Sequence, residues 1–323
     1  MAIIFLMKGL IFLIVYKPTK EDYERVGIEP TLPLKPGYVV QGTNDKVFKN
    51  LANDVHTRRY FAKLISLVTG IDFDYLVHNM KLSSNNTGED SVYEHFNEQD
   101  VIVTLDNMRI NVEMSINNKD INIIKNQTTA FKLAGNSYKS GDGYKKTHIF
   151  YQICIENYDL YHNDLLVTEV NLVDVSSGNY EIVNNFYKEF HVNLNNLPKE
   201  CYNGDERDKY IKLLTLNRTN DLRVLSKGDE IMEDAVKKIV SLSNDPNFIS
   251  ELEKQQIEEY ARNYALEKAE ERGKQIGINE GKQTGIHERN IEIAKKMLSK
   301  DSDINFISEC TGLSIQQINE LRV

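Results

Sequence analysis

Cysteine is scarce: Cys154, Cys201 and Cys310 are the three in a chain of 323 residues, and they show no paired spacing. That speaks against a disulfide framework or a cysteine-based zinc motif, and it fits a reducing cytoplasm. Excess positive charge is also missing. A formal net charge of -9 argues against a protein that coats nucleic acid by bulk electrostatics. A local basic groove stays open, because the field at a site depends on where its charges sit. The sequence has no Gly-rich phosphate loop, no Cys/His cluster and no serine-nucleophile elbow. Its seven histidines are dispersed, and His95 reads as a surface residue. Nor is there an apolar run of the roughly twenty residues that a membrane helix needs. Residues 1–16 are apolar apart from Lys8 but too short, and they lack the cleavage site of a signal peptide. They read as an extra segment ahead of an alternative start at Met7, or as a disordered tail, in preference to a membrane anchor.

What is present is ordinary in bulk. Hydrophobic residues make up 41% and charged residues 27%, the balance of a soluble globular chain. Prolines 30, 33 and 36 punctuate an extended arm. From Asn44 the apolar residues Val47, Phe48, Leu51, Tyr60, Phe61, Leu64, Ile65 and Val68 recur at helical spacing, and Gly70 sits where a C-cap belongs. Between residues 92 and 117 the period drops to two, which predicts strands. A helix is expected over about 120–140 and strands over 148–156 and 165–175. The block 182–197 is open between strand and helix, and beyond residue 205 everything reads as helix. This order predicts a mixed α/β domain with an all-α C-terminal extension.

The segment 99–115 is the informative one. A two-residue turn at Asp106-Asn107 pairs Leu105 with Met108, Val103 with Ile110, Val101 with Val112 and Asp100 with Glu113. Opposed residues share a face. One face then carries Val101, Val103, Leu105, Met108, Ile110, Val112 and Met114. The other carries Asp100, Ile102, Thr104, Arg109, Asn111, Glu113 and Ser115, with two carboxylates opposed. Opposed like charges cost a few tenths to ~1 kcal/mol. A bound divalent cation compensates such a pair, and Mg²⁺ favours one or two carboxylates plus waters. An exposed hairpin edge whose acids face water is the plainer alternative.

These residues resemble a known pattern. PD-(D/E)XK nucleases place an Asp at the start of one strand and Glu-x-Lys, or Glu-x-Gln, on the next strand of a hairpin; Asp100 and Glu113-Met114-Ser115 occupy those places. The Rpn family of recombination-promoting nucleases, also described as transposase-related, is similar in further motifs. These are Asn44-Asp45-Lys46-Val47-Phe48-Lys49, Ile110-Asn111-Val112-Glu113-Met114, Gly141-Asp142-Gly143-Tyr144, and two C-terminal stretches, 293–298 and 306–314. The resemblance runs from about Tyr38 to the C-terminus, with gaps. It implies a restriction-endonuclease-like core, a central mixed sheet flanked by helices, and Mg²⁺-dependent (or Mn²⁺-dependent) hydrolysis of DNA in recombination or mobile-element biology. Asp100 and Glu113 would hold the metal, with the Met114 carbonyl as a third ligand. Asp45 and Lys49 would border the site, or simply pair on their helix.

Two departures qualify it. Ser115 stands where a Lys or Gln is expected and can at most orient a water. The Arg expected early in the following helix is absent, Lys125, Asn126 and Gln127 being nearest. A catalytically silent protein that keeps the fold and binds DNA or protein is therefore the alternative. Lys125, Lys132 and Lys139 recur every seven residues on one helix face and are candidates for a phosphate track, or a solvated face.

The expected organisation is an N-terminal segment and arm (1–37), a nuclease-like core (38–200), a helical region (201–272), a glycine-repeat linker helix (273–290) and a C-terminal helical hairpin (291–323). Glycines 273, 277, 281 and 285 recur every four residues, which suits a linker first and a homodimer through the C-terminal helices second. Phe306, Ile307, Leu313, Ile315, Ile318 and Leu321 form the apolar set of the terminal hairpin. With five Lys and Arg against six Asp and Glu over 287–323, it reads as a packing hairpin before a DNA reader.

Overall fold

The hairpin expected around Asp106-Asn107 is present, in the expected register. In the computed structural model Val101 pairs with Val112, Val103 with Ile110 and Thr104 with Arg109, and the Leu105 N–H donates to the Met108 carbonyl at 2.8 Å. The structure describes residues 2–7, 10–15, 18–28, 32–83, 101–116, 119–135, 149–176, 178–183, 186–199 and 204–322. Asp100, Lys139, His95, Cys201 and the Gly141–Tyr144 motif lie outside them.

The chain opens with an antiparallel pair, β1 (Ala2–Met7) and β2 (Leu10–Val15), so the apolar start forms a hairpin in place of the expected tail. Helix α1 (Lys20–Arg25) follows, held by a Thr19–Asp22 capping box. Then come α2 (Asp45–Asn53), α3 (Arg58–Thr69) and α4 (Phe73–Asn79). Asn44 caps α2 by accepting from the Lys46 and Val47 N–H groups, and α3 ends at Gly70, in the left-handed region at φ 76°.

Next are β3 (Lys81–Ser83), β4 (Val101–Thr104), β5 (Met108–Ser115) and α5 (Lys119–Gly135). Strands β6 (Ile149–Glu156), β7 (Val167–Asn171), β8 (Val173–Asp174) and β9 (Glu181–Ile182) follow. The ambiguous block resolves into β10 (Tyr187–Asn193) and a 3₁₀ turn, Leu194–Asn196. Six helices complete the chain, as expected: α6 (Glu206–Thr215), α7 (Thr219–Ser226), α8 (Glu230–Asn244), α9 (Pro246–Leu298), α10 (Ile304–Thr311) and α11 (Ile315–Glu320). Among the described residues, no helix is long and apolar enough to cross a membrane.

The main sheet has six strands in the order β3-β4-β5-β6-β10-β7. The β5/β6 and β6/β10 ladders are parallel; the other three are antiparallel. Helices flank it, so the architecture is mixed α/β with a mixed sheet.

Contacts divide the chain into two units, 31–250 and 1–30 with 251–323. In the first unit, α3 packs against α2, α6 and α8 and against β10 of the sheet. Tyr60 stacks on Tyr210 at 5.4 Å and its hydroxyl donates to the Tyr210 carbonyl at 2.6 Å. Gly42 is required where its arm passes α6: a Cβ there would lie 2.9 Å from the Leu214 Cα. In the second unit, Tyr23, Ile28 and Tyr260 form one small apolar cluster, and Ala294, Ile307, Leu313 and Ile318 another. Phe306 and Ile315, expected in that terminal set, are instead exposed, because such short helices turn one face inward. The glycine repeat lies within the continuous helix α9, and a Cβ on any of its four glycines would meet nothing within 4 Å.

Candidate active site

The three central strands of the sheet carry different chemistry on their two faces. Residues paired across a ladder point the same way, and successive residues alternate. On one face the register stacks three polar rows. Asn111, Gln152 and Glu189 form the first, Glu113, Cys154 and His191 the second, and Ser115, Glu156 and Asn193 the third. All are buried. Helix α5 lies over this face. Its Ala130, with Leu133 and Ala134, packs on Phe150 and Tyr187, one row before the polar ones. That apolar contact anchors α5, and its earlier turns bring Lys125 and Asn126 onto the polar rows.

Lys125 Nζ lies 2.5 Å from Glu113 Oε1. Glu113 is 2% exposed, and burial pushes its carboxyl up from the ordinary value against the opposing pull of Lys125. Asp45, at the first turn of α2, is close enough to act on it electrostatically and raises it further. Burial likewise pushes the Asp45 carboxyl up, with Lys49 and Lys125 opposing. Lys49 Nζ sits 3.3 Å from Asp45 Oδ2, the pairing expected from their spacing. Among the described residues, neither Glu113 Oε2 nor Asp45 Oδ1 has a hydrogen-bond partner, and both are buried. Unpaired buried carboxylate oxygens are expensive. Both carboxylates lie within electrostatic reach of Lys49 and Lys125, and Asp45 within reach of Glu113, so their open oxygens are acceptors that a donor or a cation would satisfy.

Deeper in the sheet the polar side chains are linked to one another, with Asn111 Oδ1 and Asn126 Oδ1 left without a hydrogen-bond partner among the described residues. Asn126 Nδ2 donates to Ser115 Oγ at 2.7 Å and approaches Cys154 Sγ at 3.4 Å. Asn111 Nδ2 donates to Gln152 Oε1 at 3.0 Å. His191 Nδ1 lies 3.2 Å from Glu156 Oε2, and its Nε2 lies 3.0 Å from Glu189 Oε2. Each carboxylate is held from behind. Tyr158 donates to Glu156 Oε1 at 3.1 Å and Tyr187 to Glu189 Oε1 at 2.5 Å. Burial works to lower the His191 value, but its bonds to Glu156 and Glu189 overcome this and raise it to about 9.

The residues expected from sequence are therefore only partly assembled. Glu113, Ser115 and Lys125 meet on one face. The Met114 side chain belongs to the opposite face, in register with Ile155, which does not bear on its backbone carbonyl, the group expected as a ligand. Lys132, two turns along α5, is exposed. Asp45 joins the site from α2. Sequence reasoning missed Gln152, Cys154, Glu156, Glu189 and His191. Their signal was the alternation of polar with apolar residues in β6 and β10.

Comparison of the chain with family models, with curated proteins and with solved structures finds no match.

Proposed function

We propose that the chain is a metal-dependent endonuclease acting on DNA, with a PD-(D/E)XK-type core, in the manner that its resemblance to the Rpn family implies. The supporting observation is the pair of unpartnered buried oxygens, Glu113 Oε2 and Asp45 Oδ1, beside Lys125. They fit a hard cation such as Mg²⁺, which takes oxygen ligands from one or two carboxylates. Glu113 and Asp45 would hold it, with Asp100 added by the family pattern. Bound there, the ion supplies Lewis-acid polarisation of a phosphoryl oxygen and a more acidic water.

The chain's own residues do the rest. Lys125 stands where it can offer positive charge to a non-bridging phosphate oxygen, the role that Ser115 is too short to fill. The Ser115 hydroxyl accepts from Asn126, so it positions α5 over the strand. Lys49 balances the charge of Asp45 on the far side.

A second reading has its own observation. The close Lys125–Glu113 pair already neutralises the carboxylate that a metal needs, which suits a silent protein that keeps the fold as a binding platform. Cleavage of plasmid and single-stranded DNA by the purified protein, with Mg²⁺, Mn²⁺ or EDTA, beside Glu113→Gln, separates the two. Metal-dependent cutting that disappears in the variant supports the nuclease. No cutting by well-folded protein with either metal turns the proposal to the silent binder.

A further inference from the structure

We infer that Cys154, Glu156 and His191 form a binding site for a thiophilic divalent cation, zinc or a chemically similar ion, distinct from the carboxylates at Glu113 and Asp45. The inference does not depend on the nuclease reading. Cys154 and His191 are register partners on adjacent parallel strands, and Glu156 lies two residues along from Cys154 on the same face. One donor atom from each falls within 4.8 Å of the others, and all three residues are buried. A tetrahedral zinc with bonds of about 2.0–2.3 Å holds its ligands roughly 3–4 Å apart, so a small inward movement of the thiol completes the set. Thiolate, imidazole and carboxylate together select zinc or cobalt(II) over Mg²⁺, which takes oxygen donors.

Two further observations point to a ligand. The first is the support behind each donor. Glu156 Oε2 faces His191 Nδ1 while Oε1 is held by Tyr158. His191 Nε2 faces Glu189, itself held by Tyr187. With Nδ1 on a metal, Nε2–H would donate to Glu189, the arrangement by which a carboxylate orients a ligand imidazole and makes it a better donor. Binding deprotonates the Cys154 thiol and takes the imidazole in its neutral form. The second is a small hollow beside the donors, lined by Asn126, Leu160 and Gln152. Asn126 is buried, and its Oδ1 has no hydrogen-bond partner among the described residues. That hollow offers the fourth coordination position to a water or to Asn126.

The test uses the full-length chain carrying Cys201→Ser and Cys310→Ser, stripped with a chelator and titrated with Co²⁺ alone. The expected result is a thiolate-to-cobalt charge-transfer band, with intense visible bands of tetrahedral cobalt, saturating at one equivalent and bleached by Zn²⁺. Cys154→Ser should abolish the charge-transfer band. Glu156→Gln and His191→Gln should each weaken binding at least tenfold, and Glu189→Gln by about 10–100-fold. Circular dichroism identifies variants that remain folded; if Cys154→Ser does not fold, Glu156→Gln and His191→Gln carry the test. Absence of the band in folded parent protein overturns the inference. So does a band that survives in folded Cys154→Ser, or one indifferent to both Glu156→Gln and His191→Gln.

Discussion

The two faces of the central sheet are equally buried and chemically opposite. On the face towards α3, Ile110, Val112, Ile153, Ile155, Phe190 and Val192 are all nearly inaccessible, and α3 packs against β10. On the face under α5, the same three strands bury Asn111, Glu113, Gln152, Glu156 and His191. Removing apolar surface from water contributes about 25 cal/mol per Å², so the first face stabilises the fold simply by being covered. The second face has no such return. Each of its groups loses water and must recover hydrogen bonds from its neighbours. Buried parallel strands are ordinarily apolar on both sides. This chain departs from that pattern over three adjacent strands, so substitutions should affect the two faces in different ways.

The largest separation should come from one substitution on each face. Phe190→Ala removes a buried ring from the apolar face and should lower unfolding free energy by about 3–5 kcal/mol, measured by urea denaturation. Glu113→Gln keeps volume and removes a buried charge. Because the remaining Lys125 is partly exposed and can reach water, stability should stay within about 1 kcal/mol of the parent; on the proposed nuclease reading, metal-dependent cleavage should fall about a thousandfold, equivalent to ~4 kcal/mol of transition-state stabilisation. If Glu113→Gln unfolds the protein as severely as Phe190→Ala, the polar face is structural and the contrast fails.

A smaller effect tests whether the polar face is held by charge balance. Lys125→Met leaves Glu113 buried without its closest cation and should cost about 1–3 kcal/mol. The double variant Lys125→Met/Glu113→Gln should recover most of that loss, because removing both charges also removes the desolvation penalty. Additive losses in this cycle would show that the two residues are not energetically coupled.

The sequence shows one edge of this arrangement well and the rest poorly, for physical reasons. In β4 and β5 a short turn fixes the register, so a period of two alone identifies Glu113 and Ser115 as facing away from Val112. Asp45 and Lys49 were legible as a helix pair. Nothing local says that Asp45 comes within electrostatic reach of Glu113, because that proximity is set by how α2 packs. β6 and β10 are joined to the hairpin by parallel ladders, whose long connections leave no turn signal. The order that places Cys154 between Glu113 and His191 is a property of the fold. The polar alternation of Glu189, His191 and Asn193 with Phe190 and Val192 was nonetheless visible, and a strand reading of that block would have flagged it. The three cysteines looked inert for the same reason: the partners of Cys154 come from its own strand and from a second strand distant in sequence.

The smallest expected effect sets the scale for charge away from the sheet. Lys238 on α8 donates to Asp54 Oδ2 at 2.8 Å just after α2, where the His56 N–H also donates to Oδ1 at 2.8 Å. The Lys238 bond, aided by His56, holds the Asp54 carboxyl below its usual range. A depressed carboxylate stabilises the fold above its unfolded value of about 3.9, and this contribution is lost as pH falls through the lower folded value. The pair is partly open to solvent, so Asp54→Asn should cost roughly 0.2–1 kcal/mol at neutral pH, shrinking in high salt. The difference between variant and parent should vanish once the pH has fallen through the lowered folded value of Asp54, followed by denaturation across pH. A salt-bridge cost at Asp54 equal to that of Lys125→Met would mean that burial adds nothing to the Glu113 pair. A clear gap between them would show that the same kind of ion pair has different consequences under α5 and at the surface, which is the asymmetry the two faces of the sheet display.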